Sequence, residues 1–400
     1  MASHVSDADA QRAQPSCSEQ RATSQAEVPL ASQNVRTVVA RKQPRQADTS
    51  SSGRVCEGED RVSAPIVFCL PEYRPLLPRE LTGRSAAALG SCEFARFPNG
   101  ELYVRIGGPV AARVCVVLGS LAPPDEQMVS VLLLAHTLKR QGAQRVVALL
   151  PYLGYTRQDR ADPGQSLGAA WAGDLLQAAG VDQVLTIDVH SGQAAACFPM
   201  PVDSLSPAAL FADVLVRRGL TDVSVVAPDE GALERSDAVI RAAGIRSRHA
   251  RVRKQRDADG VTRSSLLGTV TSRVVIVDDI LDTGGTLVSA CAALRRAGAQ
   301  EIFVFVTHGL FTGQRWHELP ALGVQRIYTT DSIPGAGERG GDIVEVLPIG
   351  RLILDAFAAI AGSHPEQAAA PARTAGRFSV IEEIEGPAPA EDSSLPADTD

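Results

Sequence analysis

Apolar residues along this chain gather in short, mostly apolar runs rather than strictly alternating with polar ones. Runs at residues 65–70, 114–118, 146–151, 184–187, 223–227, 274–277, 302–307 and 343–346 are four to six residues long. Continuous runs of that length predict strands buried on both faces, the pattern of parallel sheets. Between them, apolar positions recur with helical spacing and predict helices over 129–141, 168–179, 207–218, 233–243 and 287–297. Strand and helix alternate, so the predicted class is α/β.

Two stretches repeat one unit. Arg113-Val114-Cys115-Val116-Val117 leads through a loop and a helix to Gly142-Ala143-Gln144 and the next strand. Arg273-Val274-Val275-Ile276-Val277 does the same and ends in Gly298-Ala299-Gln300. The pattern predicts a duplicated domain. Residues 1–61, rich in Ala, Ser, Gln and Arg, and residues 364–400, rich in Pro, Ala, Glu and Asp, have too few large apolar side chains to offset ordering entropy. Both tails are expected to be disordered, which leaves an N-terminal domain at 62–205 and a C-terminal domain at 206–363.

Composition narrows the function classes. A hydrophobic content of 44% over 400 residues supports two cores. A net charge of −7 and a pI near 5.6 argue against a general nucleic-acid binder or an anionic-membrane binder. No apolar run approaches the roughly eighteen residues of a membrane span, and the first ten residues lack the basic-then-apolar order of a secretory signal. The seven cysteines are scattered with no C-x-x-C pair, which reads as reduced thiols in a cytoplasmic protein.

The most informative chemistry lies where the two repeat units differ. After Val277 come Asp278 and Asp279, two apolar residues, and then Asp282-Thr283-Gly284-Gly285-Thr286 at the start of a predicted helix. Backbone N–H groups at a helix N-terminus suit an anion, and the glycines let the chain turn tightly against it. Threonine hydroxyls add donors, while ionised carboxylates accept from a sugar's vicinal hydroxyls. Phosphate at one end and diol at the other point to ribose 5-phosphate. The first copy carries instead a longer loop, 119–127, without the glycine cradle.

Other stretches are compatible with a phosphate-handling site. Arg157 and Gln158 follow a predicted strand at the sheet end where open α/β folds place ligands, and the planar fork of Arg157 suits a phosphate. Phe97 can stack on a purine or fill a core; His190 closes a strand. The run 246–256 is densely basic and reads as a solvated face, or as cations that neutralise transferring phosphates. There is no Walker A sequence.

Taken together, these motifs resemble the ribose-phosphate pyrophosphokinases, the PRPP synthetases. The Asp278–Thr286 loop is similar to the PRPP loop that these enzymes share with type I phosphoribosyltransferases. Phe97-Pro98-Asn99-Gly100-Glu101 resembles the adenine-contacting segment, and residues 151–160 the ATP-binding signature. Asp188-Val189-His190-Ser191-Gly192 resembles the metal-site region, and Lys254-Gln255-Arg256 the catalytic Lys-x-Arg of a mobile loop. The resemblance spans about residues 65–360.

It implies two tandem phosphoribosyltransferase-like domains, each a mainly parallel sheet flanked by helices, the first serving ATP and the second ribose 5-phosphate. It further implies ATP contacts from Phe97, Asn99, Glu101, Arg157 and Gln158, and ribose 5-phosphate contacts from Asp278, Asp279, Asp282, Thr283, Gly284, Gly285 and Thr286. Lys254 and Arg256 would be catalytic, His190 and Asp229 would bind Mg²⁺, and the chain would form a homodimer or larger assembly.

Three positions depart from the family pattern. Asn99 replaces an Asp, Ala232 replaces the second glycine of an Asp-x-Gly-Gly segment, and the loop after Arg160 is short, nearer the archaeal-type branch than the phosphate-regulated one. Two other readings are a type I phosphoribosyltransferase and a non-catalytic synthetase-like regulatory subunit.

Overall fold

A computed structural model of the chain describes residues 64–83, 87–256 and 262–362. The two tails expected to be disordered lie outside the described residues. Strands β1 (Ile66–Cys69), β2 (Ala88–Leu89), β5 (Val114–Leu118), β6 (Arg145–Leu150), β7 (Gln183–Ile187) and β8 (Val202–Leu205) form one sheet, with β3 (Ser91–Arg96) and β4 (Leu102–Gly107) set apart as an antiparallel hairpin. The sheet order is β2-β1-β5-β6-β7-β8, parallel throughout. A second sheet contains β9 (Ser224–Ala227), β10 (Arg248–Arg256), β11 (Thr262–Leu267), β12 (Arg273–Leu281), β13 (Glu301–Gly309), β14 (Val324–Thr330) and β15 (Val344–Leu347). Its order is β11-β10-β9-β12-β13-β14-β15, parallel except where β10 meets β11.

Aligned position by position, β2-β1-β5-β6-β7-β8 and β10-β9-β12-β13-β14-β15 are the same topology, so the short repeat in sequence reflects a repeat of the whole sheet. The predicted strands are found and, apart from the half-buried edge strand β15, are largely buried, because helices cover both faces of each sheet and every position along β5 to β7 past the first is buried. In β12, Val274 and Ile276 join the core beneath the helix Gly285–Arg296, while Val275 and Val277 join the core on the opposite face with Phe211 and Phe305. That is the two-residue period of a strand.

Three features differ from the sequence reading. The hairpin of β3 and β4 was not anticipated, because its half-exposed strands mix polar and apolar positions instead of running apolar. The basic stretch 246–256, whose Lys254-Gln255-Arg256 was matched to a mobile loop, is strand from Arg248 to Arg256. Ala250 and Val252 are buried at strand spacing, and Arg251 between them and Arg253 beyond obscured that alternation. Finally, a boundary at 205/206 groups the helix Gly350–Gly362 with the second half, yet Leu352, Ile353, Ala356, Phe357 and Ile360 lie in the core of the first sheet. The chain thus returns to its first half to complete that core.

Candidate functional site

Strand β12 runs past its apolar core and delivers Asp278 and Asp279 at its C-terminal end, 7% and 5% exposed. Gly284 then turns the chain at φ +88 as the N-cap of the helix Gly285–Arg296. A side chain there would be strained and would meet the backbone of Trp316 at 2.7 Å. Residues 278–287 line a cavity of about 400 Å³ together with Arg157, His190, Ser191, Asp229, Glu230, Gly231 and Arg235. All seven expected ribose 5-phosphate contacts therefore line one cavity, joined by Arg157, His190 and Asp229.

The two carboxylates are not equivalent. Burial pushes Asp278 well above the usual carboxylate range, and the neighbouring Asp279 and Asp229 add to the shift. Burial acts the same way on Asp279, but the hydrogen bond with His190 and the charge of Arg235 outweigh it and hold its pKa at about 2. The pair is not two alike ionised acceptors: Asp279 carries the charge, and Asp278 is the one that takes a proton first.

His190 Nδ1 lies 2.6 Å from Asp279 Oδ2. That hydrogen bond raises the imidazole pKa, with burial opposing it. Arg235, on the helix Leu233–Ala243, binds the loop that carries His190. Its Nε donates to Asp188 Oδ1 at 2.7 Å, and its Nη2 donates to the carbonyls of Val189 (2.9 Å) and His190 (2.8 Å). The same Nη2 is 3.6 Å from Asp279. Thr307 of β13 also donates to Asp188. A loop following β7 of the first sheet is thereby gripped by side chains of the second.

The cradle has an outer brace that carries no motif. Thr312 donates to Asp282, Gly313 packs on Thr283, and the Trp316 N–H donates to the Thr283 carbonyl at 3.1 Å. Arg157 reaches the same loop from the first half, its Nη1 2.5 Å from Asp282 Oδ2. Burial raises the Asp282 pKa, but the bonds from Thr312 and Arg157 prevail and lower it.

Residues 67–180 match the model for the N-terminal domain of ribose phosphate pyrophosphokinase, and residues 208–319 match that of the phosphoribosyl transferase domain. A ribose-phosphate pyrophosphokinase of Haemophilus ducreyi is 33% identical over 298 residues, which covers 72% of this chain and 94% of that protein. Ribose-phosphate pyrophosphokinase 2 of Enterococcus faecalis is 30% identical over 305 residues, 75% of this chain and 94% of its own. The chain belongs to the ribose-phosphate pyrophosphokinase family. The crystal structure of phosphoribosylpyrophosphate synthetase from Mycobacterium smegmatis superposes with a TM-score of 0.66 at 26% identity, covering 74% of this chain and 98% of that one.

Against the family pattern, the exchange at Ala232 is locally harmless to the backbone. Residue 232 has φ −88 and ψ −1, ordinary right-handed geometry that needs no glycine, and its methyl is fully buried at the start of the Arg235 helix. Asn99 likewise has a local role: its Oδ1 accepts from the Glu101 N–H at 3.2 Å and closes the turn between β3 and β4.

The other expected ATP contacts are not gathered in the cavity. Phe97 and Glu101 sit on the hairpin and border an open apolar depression with Val129, Leu132, Leu133 and His136. Gln158 turns away, its Oε1 accepting from Ser166. Lys254 and Arg256 have their backbone in the β10–β11 hairpin, and their side chains lie outside the described residues. Sequence reasoning missed Arg235 and the 312–316 brace. Arg235 gave the signal of an ordinary helical position, and the brace works largely through backbone.

Proposed function

We propose that the chain transfers the pyrophosphoryl group of ATP to the C1 hydroxyl of ribose 5-phosphate, giving 5-phosphoribosyl 1-diphosphate and AMP. The C1 oxygen attacks the β-phosphorus in line, the bond from that phosphorus to the α,β-bridging oxygen breaks, that oxygen leaves with AMP, and the hydroxyl proton is released. The observation that carries the reading is the single cavity in which the Asp278–Thr286 cradle meets Arg157, His190 and Ser191 of the other half. A phosphoribosyltransferase, which spends 5-phosphoribosyl 1-diphosphate, has no need of that other half.

In this reading, Asp282, Thr283, Gly284, Gly285 and Thr286 hold the 5-phosphate, and Asp278 and Asp279 hold the ribose hydroxyls. Arg157 binds the ATP phosphates, with Gln158 on the same loop. Phe97, Asn99 and Glu101 take the adenine. Because the hairpin borders a separate surface in its own chain, it suits an adenine site completed by a second copy, in a homodimer or larger assembly. Lys254 and Arg256 stabilise the charge that grows on the transferring phosphates.

Mg²⁺ fits the donors present. Asp229 offers oxygen in the cavity, and His190, with Nδ1 engaged by Asp279, has Nε2 left as a ligand atom. Among the described residues no three His, Cys, Asp or Glu side chains converge into a ligand set. One or two carboxylates plus phosphate oxygens is the usual arrangement for this ion, which Asp229 meets, whereas an imidazole is an unusual ligand for so hard a cation. When bound it neutralises phosphate charge.

Among the described residues no helix is long and apolar enough to cross a membrane. The free cysteines, such as buried Cys115 and Cys291, suit a reducing, cytoplasmic setting.

The test is AMP formation by purified protein with ATP, Mg²⁺ and ribose 5-phosphate. AMP is expected, and Lys254→Ala should cut its rate by orders of magnitude while ATP binding persists. No AMP at any phosphate concentration sinks the proposal, in favour of a regulatory subunit, or of a transferase if 5-phosphoribosyl 1-diphosphate is consumed instead.

A further inference from the structure

Two successive residues of the brace lie against the glycines of the cradle. A Cβ on Gly284 would strike the backbone of Trp316, as noted above. One on Gly285 would come within 3.2 Å of Arg315 Nη1, closer than ordinary packing. The Arg315 guanidinium therefore lies directly against the first residue of the helix Gly285–Arg296, beside the backbone N–H groups that face an anion.

Charge makes this placement matter. The cavity is lined by the carboxyl groups of Asp229, Glu230, Asp278, Asp279 and Asp282. Neither of its two arginines is assigned to the 5-phosphate, Arg157 being placed on the ATP side. Arg157 pairs with Asp282, and Arg235 is taken up by Asp188, Asp279 and three backbone carbonyls. A sugar phosphate dianion entering this surround meets more carboxyl groups than arginines. Arg315 is differently placed: its ion pair with Glu318 is 3.5 Å long, and both side chains are more than half exposed at 56% and 54%. Such a pair holds its partners weakly.

We propose that Arg315 is a binding residue for the 5-phosphate of ribose 5-phosphate, an inference that rests on the reaction proposed above. Its contribution is a positive charge beside the helix terminus rather than a desolvated fork, because the guanidinium stays in contact with water. It acts on ribose 5-phosphate and not on ATP, which enters from the Arg157 side.

The test is Arg315→Ala and Arg315→Lys in the full-length protein, with the remote surface variant Arg217→Ala as control. KM for ribose 5-phosphate should rise about fivefold to thirtyfold in Arg315→Ala, the range for one exposed cation facing a dianion across several ångströms. KM for ATP and the melting temperature should match the parent, and Arg315→Lys should recover most of the loss. The parent-to-variant ratio should shrink as ionic strength rises from about 0.05 to 0.5 M. Calorimetric titration with ribose 5-phosphate and with ribose, both without ATP, gives a readout independent of turnover: the variant should lose affinity only for the phosphorylated sugar.

An unchanged affinity for ribose 5-phosphate in Arg315→Ala overturns the proposal. So does a parallel rise in both KM values with a lower melting temperature, since that marks a brace and not a ligand. If the parent makes no AMP yet binds ribose 5-phosphate in an Arg315-dependent way, the proposed reaction fails while this assignment stands. A parent that binds no ribose 5-phosphate refutes both.

Discussion

Replacing Arg235 by alanine removes the cation that ties the 188–190 loop to the second half. Its side chain is 15% exposed, and those of its partners Asp188 and Asp279 are 10% and 8% exposed. Burial works against its charge, but Asp188 and Asp279 more than compensate and raise its pKa. Removing one member of such a buried set leaves carboxylates without their counter-ion, a loss of about 3–5 kcal/mol. Water entering from the cavity would reduce that figure, and the carbonyls of Val189, His190 and Gly231 losing their donor would add to it. The variant should therefore unfold at a clearly lower urea concentration and turn over at least tenfold more slowly, because His190 loses its fixed position. Arg235→Lys separates the two effects. Lysine can return a charge to Asp188 but has no planar fork to span that carboxylate and two carbonyls. It should restore more of the stability than of the turnover. Denaturation curves and initial rates of AMP formation on the three proteins check this. An alanine variant with an unchanged urea midpoint and a rate within about twofold of the parent would refute the role assigned to Arg235.

Two further outcomes follow from burial. Phe357 is 1% exposed within the first core, so Phe357→Ala should cost about 3–5 kcal/mol in chemical denaturation although it lies in the chain's last described helix; a loss under about 1 kcal/mol would show that this helix does not complete the core. His308 is fully enclosed, with Nε2 3.1 Å from the Ile187 carbonyl and Nδ1 2.8 Å from Ser332 Oγ, and burial lowers its pKa. The folded state therefore takes up fewer protons than the unfolded chain, so stability is full above about pH 6.5 and declines as pH falls toward the depressed folded value. Melting temperatures between about pH 8 and 5 should drop less steeply in His308→Gln than in the parent, and parallel curves would contradict the assignment.

Legibility in the sequence followed how local each contact is. The strands buried on two faces were readable because every position must be apolar, as in Val114–Leu118. The cradle was readable because its carboxylates, glycines and threonines are contiguous. The strand character of 248–256 was hidden by arginines on alternate positions, and the helix Gly350–Gly362 shows an apolar face without showing which sheet it will cover. The brace was the least readable part. It acts through the Trp316 N–H, the Thr312 hydroxyl and the bare Cα of Gly313, none of which makes a sequence pattern.

The duplication explains why the site is asymmetric. Aligning Arg113 with Arg273 places Gly119 where Asp279 stands, and a Cβ there would lie 2.7 Å from Val131 Cγ2. The first half thus has packing where the second has its charged carboxylate. One pair of strands further on the roles reverse. Asp188 follows β7 and Asp331 follows β14, and each donates its backbone N–H to the strand beside it, at Leu205 (2.9 Å) and Leu347 (3.2 Å). The Asp331 carboxylate is spent locally, accepting from the Ile349 N–H at 2.8 Å. The Asp188 carboxylate instead receives Arg235 and Thr307 from the other half. Each copy has turned a different strand end toward the cavity and sealed the equivalent end of its twin. Two substrates can then meet at one site without two identical acidic loops facing each other, an arrangement that like-charge repulsion in a buried cavity would oppose.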